Sequence, residues 1–323
     1  MTASTLASGA GAVVGRAAAL SVALVAAGVR RARRSATVPL EQVDISSGYR
    51  GGAGTPLLLL HGVGGTWRVW LPVLPELERA HEVFAPTLPG HSGAQPLAED
   101  TAPSIAALTD AVVESLDREG LDRVHVAGNS LGGWIALELA RRGRARSVVV
   151  FGPAGAWRLE LRLKALATRM RWWFALLGRL SNRADALAAR PLVRKVLLGT
   201  QVARPDRVDS AELAASIRAV RDSPVVRPLL RTLADTPLEP LPDPGCPIRV
   251  VWAERDRVIP FQHFGEPLLE RVPSAELVRL GGVGHVPMSD APADVAGLVL
   301  EVTSTLDRSA AANGVGDHED GQR

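Results

Sequence analysis

The sequence has a single cysteine, Cys246, in 323 residues. An internal disulfide and a metal cluster held by thiolates are therefore excluded. Cys246 precedes a proline at the start of an apolar run. That position is typical of a buried small hydrophobic residue rather than of a nucleophile.

Net charge is scarce as well. The formal charge is only +3, so the chain as a whole does not bind nucleic acid by charge. Hydrophobic residues make up 46% and charged residues 22%. These values are ordinary for a folded domain and exclude general disorder, a collagen and a polytopic membrane protein. Only Lys164 and Lys195 are lysines among the 37 basic residues, so the many arginines reflect composition more than function.

The N-terminal apolar run, 17–29, is too short and too rich in alanine to predict a membrane span. It has 13 residues, whereas a span needs about 20. Most nearby charges follow the run, and a secretory signal would place them before it. We therefore expect residues 1–39 to be an N-terminal arm, frayed or lying on an anionic membrane surface, and the protein to be cytoplasmic. Membrane association and export remain the alternatives. Residues 308–323 are polar and predict a disordered tail.

Between these ends, strand and helix patterns alternate. Short apolar runs predict strands, and amphipathic stretches predict helices. The alternation indicates an α/β protein with a mostly parallel central sheet and helices on both faces. Residues 40–153 and 246–307 form the two parts of this core. The predicted strands are 57–60, 82–86, 123–128, 146–151, 248–253 and 276–279, and the predicted helices follow Ser104 and cover 131–142 and about 291–306.

The stretch 154–245 interrupts the alternation. Its apolar residues recur every three or four positions from 159 to 180, which is a helical period, and prolines then punctuate the return to the sheet. We expect an inserted helical domain. Residues 156–200 contain ten basic residues and only two acidic ones. A solvated helix face, a membrane-facing surface and recognition of an anionic substrate are the three interpretations of this charge.

One motif carries chemistry: residues 128–132 read Gly-Asn-Ser-Leu-Gly. A predicted strand precedes it and a predicted helix follows it. A serine on such a sharp turn projects above the sheet, and glycines on either side avoid collisions with the backbone. The helix that follows supplies backbone N–H groups where an oxyanion would form. The pattern predicts that Ser130 is a nucleophile.

The motif and its context resemble the α/β-hydrolase family over the whole predicted core. The resemblance implies an α/β-hydrolase fold with a helical cap over the site. It also implies a Ser-His-Asp triad of Ser130, His285 and Asp256, with Glu254 as the weaker acid candidate. His285 stands in a glycine-rich segment, 281–287, before the last helix. The N–H groups of Val63 and Leu131 would form the oxyanion hole, and His61 would shape the loop before Val63.

The function that this resemblance implies is a serine hydrolase that cleaves a carboxylic ester or related acyl bond of a small apolar substrate, without metal or organic cofactor. Ser130 argues against the epoxide hydrolases and haloalkane dehalogenases of the family, because these use an aspartate at the elbow. A carbon–carbon bond hydrolase of ring-fission products and a cofactor-free perhydrolase are alternatives. A non-catalytic ligand-binding or membrane-docking protein is the third.

The cap is expected to set specificity. Met170, Trp172, Trp173 and Phe174 suggest an apolar roof, and packing of the cap on the core is the alternative role for them. The expected partners are a small-molecule substrate, no nucleic acid, and a membrane surface touched by the arm or the basic cap. The oligomeric state stays open. The pocket residues expected from the sequence are Gly62, Asn129, Trp67, Pro153, Trp173 and Val286.

Overall fold

The structure is a computed structural model that describes residues 48–158, 160–233 and 236–316. The predicted N-terminal arm, 1–39, lies outside these residues. So does the end of the predicted tail, 317–323.

Seven strands form one sheet. In chain order they are β1 (Gly48–Gly52), β2 (Thr55–Leu60), β3 (His81–Pro86), β4 (Val124–Asn129), β5 (Ala145–Phe151), β6 (Ile248–Ala253) and β7 (Glu276–Leu280). Their order across the sheet is β1-β3-β2-β4-β5-β6-β7. Only β1 runs antiparallel to its neighbour, and the other neighbours are parallel. The predicted mostly parallel sheet is confirmed.

Helices cover both faces of the sheet, as the sequence predicts. They are α1 (Leu74–Leu77), α2 (Ile105–Arg118), α3 (Leu131–Arg141), α4 (Glu160–Leu180), α5 (Ala184–Ala188), α6 (Pro191–Leu198), α7 (Ser210–Arg221), α8 (Val226–Thr232), α9 (Phe261–Arg271), α10 (Pro287–Asp290) and α11 (Pro292–Gly316). One core packs α2, α3 and α9 on the sheet, and a second packs α1, α10 and α11 on its other face. Alternate residues of each buried strand point into these two cores.

The Ser104 hydroxyl starts α2 by accepting a hydrogen bond from the Ala107 N–H at 3.1 Å. This is an N-cap, which satisfies a backbone donor that has no partner inside the helix. The observation agrees with the helix start read from the sequence.

Helices α4 to α8 lie between β5 and β6, in the stretch predicted to be an insertion. Part of this stretch has a core of its own, in which Leu187, Leu197 and Ile217 are buried. Helix α4 also packs on the larger sheet core through Leu166. The insertion therefore rests on the carboxyl ends of the strands while holding itself together.

The predicted tail needs a correction. Helix α11 continues to Gly316, although residues from 308 onward read as disordered. Residues 310–312 are alanines, the best helix formers, and they extend a helix that the core already holds in place. Among the described residues, no helix is long and apolar enough to cross a membrane.

Candidate active site

Ser130 lies on a strained turn between β4 and α3. Its φ is +55° and its ψ is −113°, and it is the only non-glycine residue with positive φ in the described ranges. The surrounding backbone holds this conformation. The Ser130 N–H donates to the Phe151 carbonyl at 3.0 Å, and the Ser130 carbonyl accepts from the N–H groups of Trp134 and Ala154. Such strain costs roughly 1–3 kcal/mol and persists where the neighbours enforce it.

The glycines of the motif are required by close backbone contacts. A Cβ on Gly128 would lie 2.3 Å from the Gly132 carbonyl oxygen, and a Cβ on Gly132 would lie 2.2 Å from the Leu60 carbonyl oxygen. Neither distance is sterically allowed. The turn that exposes Ser130 thus depends on glycine at both positions, as the sequence pattern predicts.

Asp256 and His285 form a buried pair at the same edge of the sheet. The Asp256 Oδ2 lies 2.7 Å from the His285 Nδ1, and both residues are 6% exposed. The other carboxylate oxygen, Oδ1, accepts hydrogen bonds from the N–H groups of Val258 and Ile259. Because a carboxylate only accepts, it holds the proton of a neutral His285 on Nδ1 and leaves the lone pair on Nε2.

Three backbone contacts fix the position of the His285 segment. The Asn129 side-chain amide donates to the His285 carbonyl at 2.9 Å. The Gly284 N–H donates to the Asp290 carboxylate at 2.8 Å. The Val286 N–H donates to the carbonyl of Gln201, in the insertion, at 2.8 Å. Asn129 directly precedes Ser130, so the elbow itself helps to hold the histidine.

Asp290 joins the insertion to the His285 segment. Besides the Gly284 N–H, its carboxylate accepts the N–H groups of Ala203 and Arg204. Sequence reasoning missed Asp290 and Gln201. No local signal identifies them, because one reads as an ordinary acid in a short helix and the other acts through its backbone.

The loop after β2 is held by a buried histidine. His61 Nδ1 lies 2.8 Å from the Gly62 carbonyl oxygen, and its Nε2 accepts from the Leu88 N–H at 2.8 Å. The ring is therefore neutral, with its proton on Nδ1. This arrangement holds the loop 61–65 beside Ser130, since a Cβ on Gly62 would lie 3.3 Å from the Ser130 Cβ.

An apolar cavity adjoins Ser130. Its volume is about 60 Å³. Ser130 is the one residue with a hydroxyl, amide or ionisable side chain that lines it among the described residues. The other lining residues are Val63, Leu131, Trp134, Ala154, Gly155, Trp157, Leu163, Leu166, Ala167, Met170, Leu230, Leu233, Val258, Ile259 and Phe264.

The family follows from sequence similarity over this architecture. Residues 57–298 match the family model described as "Alpha/beta hydrolase family". The chain belongs to the α/β hydrolase family. It is 37% identical over 204 residues to the "Epoxide hydrolase EphH" of Mycobacterium tuberculosis, an alignment that covers 61% of this chain and 93% of the relative.

Two further comparisons agree with this placement. The hydrolase is 31% identical over 255 residues to the "Pimeloyl-[acyl-carrier protein] methyl ester esterase" of Aromatoleum aromaticum, which covers 76% of this chain and 97% of the relative. A solved structure of a thermophilic esterase from Thermogutta terrifontis matches with a TM-score of 0.63 and 19% identity, over 80% of this chain and 93% of that chain. The structural match shows the fold alone.

The α/β hydrolase brings some predicted site residues together and separates others. Val63, Ser130 and Leu131 line the cavity. Gly62 and Asn129 lie beside Ser130, as described above. Pro153 is buried and packs closely on α3: a Cβ added to Gly133 of that helix would lie 2.8 Å from the Cβ of Pro153. Glu254, the weaker acid candidate, is exposed, and Asp256 occupies the place beside His285.

Three residues of the predicted pocket, Trp67, Trp173 and Val286, need correction. Trp67 packs in the core on the other face of the sheet and stacks on Tyr49. Trp173 packs in the insertion's own core, and Val286 lies against the core that holds Trp67. The aromatic side chains that do line the cavity are Trp134, Trp157 and Phe264. The helical period of α4 does not reveal which of two cores a given side chain meets.

Buried histidines make the stability of this hydrolase pH-dependent, because burial lowers the pKa of His61, His81, His91 and His125. Burial lowers the pKa of His61 to about 3 and that of His91, whose ring lies 5.0 Å away, to about 4. Both pKa values lie below the value of 6.5 for an exposed histidine. Below pH 6.5 the unfolded chain therefore binds protons that the folded chain does not, and the free energy of unfolding falls.

We expect that fall to be about 1.4 kcal/mol per pH unit for each of His61 and His91, beginning near pH 6.5. Urea unfolding at pH 7, 6 and 5 measures it. The slope is expected to be shallower in His91→Gln, which removes one of these titrations. A free energy of unfolding that stays constant from pH 7 to pH 5 would contradict this account.

Proposed function

We propose that this α/β hydrolase is a serine hydrolase that cleaves a carboxylic ester or related acyl bond through an acyl-enzyme. One observation carries the proposal: a serine on a strained elbow lines an apolar cavity at the sheet edge that also holds a buried Asp–His pair. Ser130 follows β4, Asp256 follows β6 and His285 follows β7. The carboxyl ends of parallel strands meet at one edge, which is where sites form in open α/β sheets.

Each residue then has a chemical role. A serine hydroxyl is a poor nucleophile at neutral pH, so His285 Nε2 takes its proton during attack on the substrate carbonyl. Asp256 keeps the histidine tautomer correct and stabilises the imidazolium. The N–H groups of Val63 and Leu131 stabilise the oxyanion, a contribution of about 3 kcal/mol per donor. His285 returns the proton to the leaving group and then activates a water molecule that releases the acyl group.

The cavity suggests the acyl part of the substrate. The space beside Ser130 is small, about 60 Å³, and its lining is apolar, which suits a short acyl group. The lining offers no charged side chain in the described residues. A short, uncharged, apolar acyl group is therefore the substrate feature that we propose.

A fluorophosphonate probe tests the proposal, since it labels serines that are activated as nucleophiles. We expect the probe to label the wild type and to leave Ser130→Ala and His285→Ala unlabelled. The lone thiol does not compete at neutral pH, because burial raises the pKa of Cys246 to about 11. Absence of labelling in folded wild-type protein would overturn the proposal. A p-nitrophenyl ester series from acetate to octanoate then measures the acyl preference.

Met170 is expected to limit acyl length, because it lines the cavity. In Met170→Ala, we expect the ratio of kcat/KM for hexanoate over butyrate to rise roughly tenfold, since each buried methylene contributes about 0.8 kcal/mol. Leu176→Ala is the matched control, as it truncates a partly buried side chain of the same helix that packs in the insertion's own core. An equal rise in both variants would mean that the cap loosens rather than that the cavity grows.

Carbon–carbon bond hydrolysis of a ring-fission product is the second candidate, because it can use the same three residues. It requires a substrate with a keto group next to the bond that breaks, and usually a carboxylate. The apolar lining of the cavity favours the ester. Turnover of a dienol-type diketo acid in preference to the ester series would favour the second candidate, and perhydrolysis would appear as peracid formed from a carboxylic acid and hydrogen peroxide.

Epoxide hydrolysis is suggested by the name of one relative, but the elbow residue opposes it. Attack of Ser130 on an epoxide carbon would form an alkyl ether. An ether has no carbonyl that water could attack, so the product would stay bound to Ser130. The ester formed by an aspartate nucleophile does have a carbonyl, and water can release it there. An epoxide is therefore expected at most to alkylate Ser130 once, without turnover. A binding protein without catalysis, the third interpretation, is disfavoured because it needs neither His285 nor Asp256.

A further inference from the structure

The outer side of α4 carries a stripe of mostly apolar residues. Leu161, Ala165, Thr168 and Trp172 recur at steps of four, three and four residues, which places them within about 60° of one another around the helix. All four are exposed. Leu161 is 79% exposed and Trp172 is 71% exposed. We name these four residues the outer stripe.

The side chain of Trp172 does not form the roof expected from the sequence. It points away from the cavity, while Leu163, Leu166, Ala167 and Met170 on the opposite side of α4 line the cavity. Helix α4 therefore has two apolar sides, and only the inner one is covered by protein among the described residues. Large exposed apolar side chains of this kind mark interaction surfaces.

Basic residues flank the outer stripe on both sides. Arg162 and Arg169 lie about 80–100° from Leu161 in one direction, and Lys164 and Arg171 lie about 60–80° away in the other. Within the described residues, no carboxylate lies in ion-pair range of Arg162, Arg169 or Arg171. Several carboxylates in and near the insertion pair with other cations: Glu160 with Lys164, Glu212 with Arg68, Asp185 with Arg218, Asp222 with Arg221, and Glu266 and Glu270 with Arg158.

We propose that the outer stripe and its flanking arginines dock on the surface of an anionic lipid membrane. A tryptophan and a leucine between rows of basic residues match the water–lipid boundary, where the apolar side chains enter the acyl region and the arginines reach the phosphates. Each basic residue near such a surface contributes about a fivefold gain in binding. This docking is a separate property that does not depend on the proposed acyl chemistry.

Other occupants fit the surface less well. A second copy of this chain would bring its own arginines against these. Residues 1–40 carry five arginines and no acidic residue, so they repel the same surface. A nucleic acid would match the charge but has no need of an exposed leucine and tryptophan. The lipid surface alone matches both the apolar and the basic parts.

Docking in this orientation has a functional consequence. The outer side of α4 would rest on the lipid while its inner side lines the cavity beside Ser130. Only the diameter of α4 would then separate the membrane surface from the cavity. An apolar ester dissolved in the bilayer would reach the cap without crossing much water, which agrees with the apolar lining.

Co-sedimentation of the full chain with lipid vesicles tests the proposal. The vesicles contain equal parts of phosphatidylglycerol and phosphatidylcholine, and pure phosphatidylcholine vesicles are the neutral reference. Wild type is expected to bind the anionic vesicles at least tenfold more strongly. Leu161→Ser with Trp172→Ser, and separately Arg169→Glu with Arg171→Glu, are each expected to lower that binding by about tenfold or more.

Two control variants match these changes. Leu192→Ser alters a leucine on α6 that is 73% exposed, and Arg118→Glu with Arg308→Glu makes the same change in net charge on the core. Both are expected to bind within about twofold of wild type. Hydrolysis of a soluble ester is expected to stay within twofold in every variant, so failure of docking and failure of the proposed function are distinguishable.

Three results would overturn the proposal. Binding that survives both pairs of substitutions would place the contact elsewhere, including the N-terminal arm. Equal losses in the controls would mean that binding is unspecific. Loss in the charge variant alone, with matching loss of binding to a DNA 30-mer, would identify a general polyanion surface instead.

Discussion

Replacing Ser130 with alanine is expected to lower kcat for ester hydrolysis by about 10⁶-fold, the size of effect that removal of a serine nucleophile has in other triads. The reason is that, among the described residues, no other group lining the cavity can form the acyl-enzyme. The other side chains that line it are apolar, apart from the indole N–H groups of Trp134 and Trp157, which are not nucleophiles. Stopped assays with a p-nitrophenyl ester, corrected for spontaneous hydrolysis, measure the loss.

Ser289→Ala is the matched control for this substitution. Ser289 is a half-buried serine on α10, near His285 in the sequence, and its replacement is expected to change kcat by less than twofold. The thermal unfolding temperature of both variants is expected to stay close to that of wild type, because Ser130→Ala removes one oxygen and keeps the strained backbone. Hydrolysis by Ser130→Ala at more than about one hundredth of the wild-type rate would show that another group attacks the substrate.

Replacing Asp256 with asparagine is expected to lower kcat by about 10⁴-fold. The asparagine carbonyl would still accept the N–H groups of Val258 and Ile259, which now bond to Asp256 Oδ1. Its NH₂ group would then face His285 Nδ1. Because that group donates, Nδ1 must accept, the ring proton moves to Nε2, and the histidine can no longer take the proton of Ser130.

Glu254→Gln separates this tautomer effect from a general loss of negative charge. Glu254 lies two residues from Asp256, is exposed, and was the second acid candidate from the sequence. Its replacement is expected to leave kcat within twofold. A large loss in Glu254→Gln with an active Asp256→Asn would reverse the assignment of the acid. The fluorophosphonate labelling rate provides a second readout of the same two variants, independent of the substrate.

Much of the fold could be read from local patterns. Buried strands such as β2 and β6 are mostly apolar, so their positions agree with the sequence prediction to within about two residues. Strand β1 escaped prediction because it reads Gly-Tyr-Arg-Gly-Gly and has no apolar run. It is held at the sheet edge by its pairing with β3, by the hydrogen bond from the Tyr49 hydroxyl to Glu78, by the stacking of Tyr49 on Trp67, and by the ion pairs of Arg50 with Glu82 and Glu119.

The features of the candidate site also divide into those that local sequence specifies and those that depend on tertiary structure. The elbow at Ser130 is a property of five consecutive residues, because its glycines relieve contacts that the turn itself creates. The sequence by itself therefore determined the α/β class and the position of the elbow, and by resemblance it named the Asp256–His285 pair. Tertiary structure alone decided that Asp290 and Gln201 hold the His285 segment, since these contacts join residues up to 87 positions apart.

The same reason explains the pocket. A helical period identifies an apolar side of α4, but the direction that each side faces depends on where the helix rests on the sheet. Trp173 therefore turns to the insertion's own core, Trp172 to the outside and Met170 to the cavity. Residue types within one or two turns specify local backbone geometry, whereas burial of a given side chain depends on segments distant in sequence that pack against it.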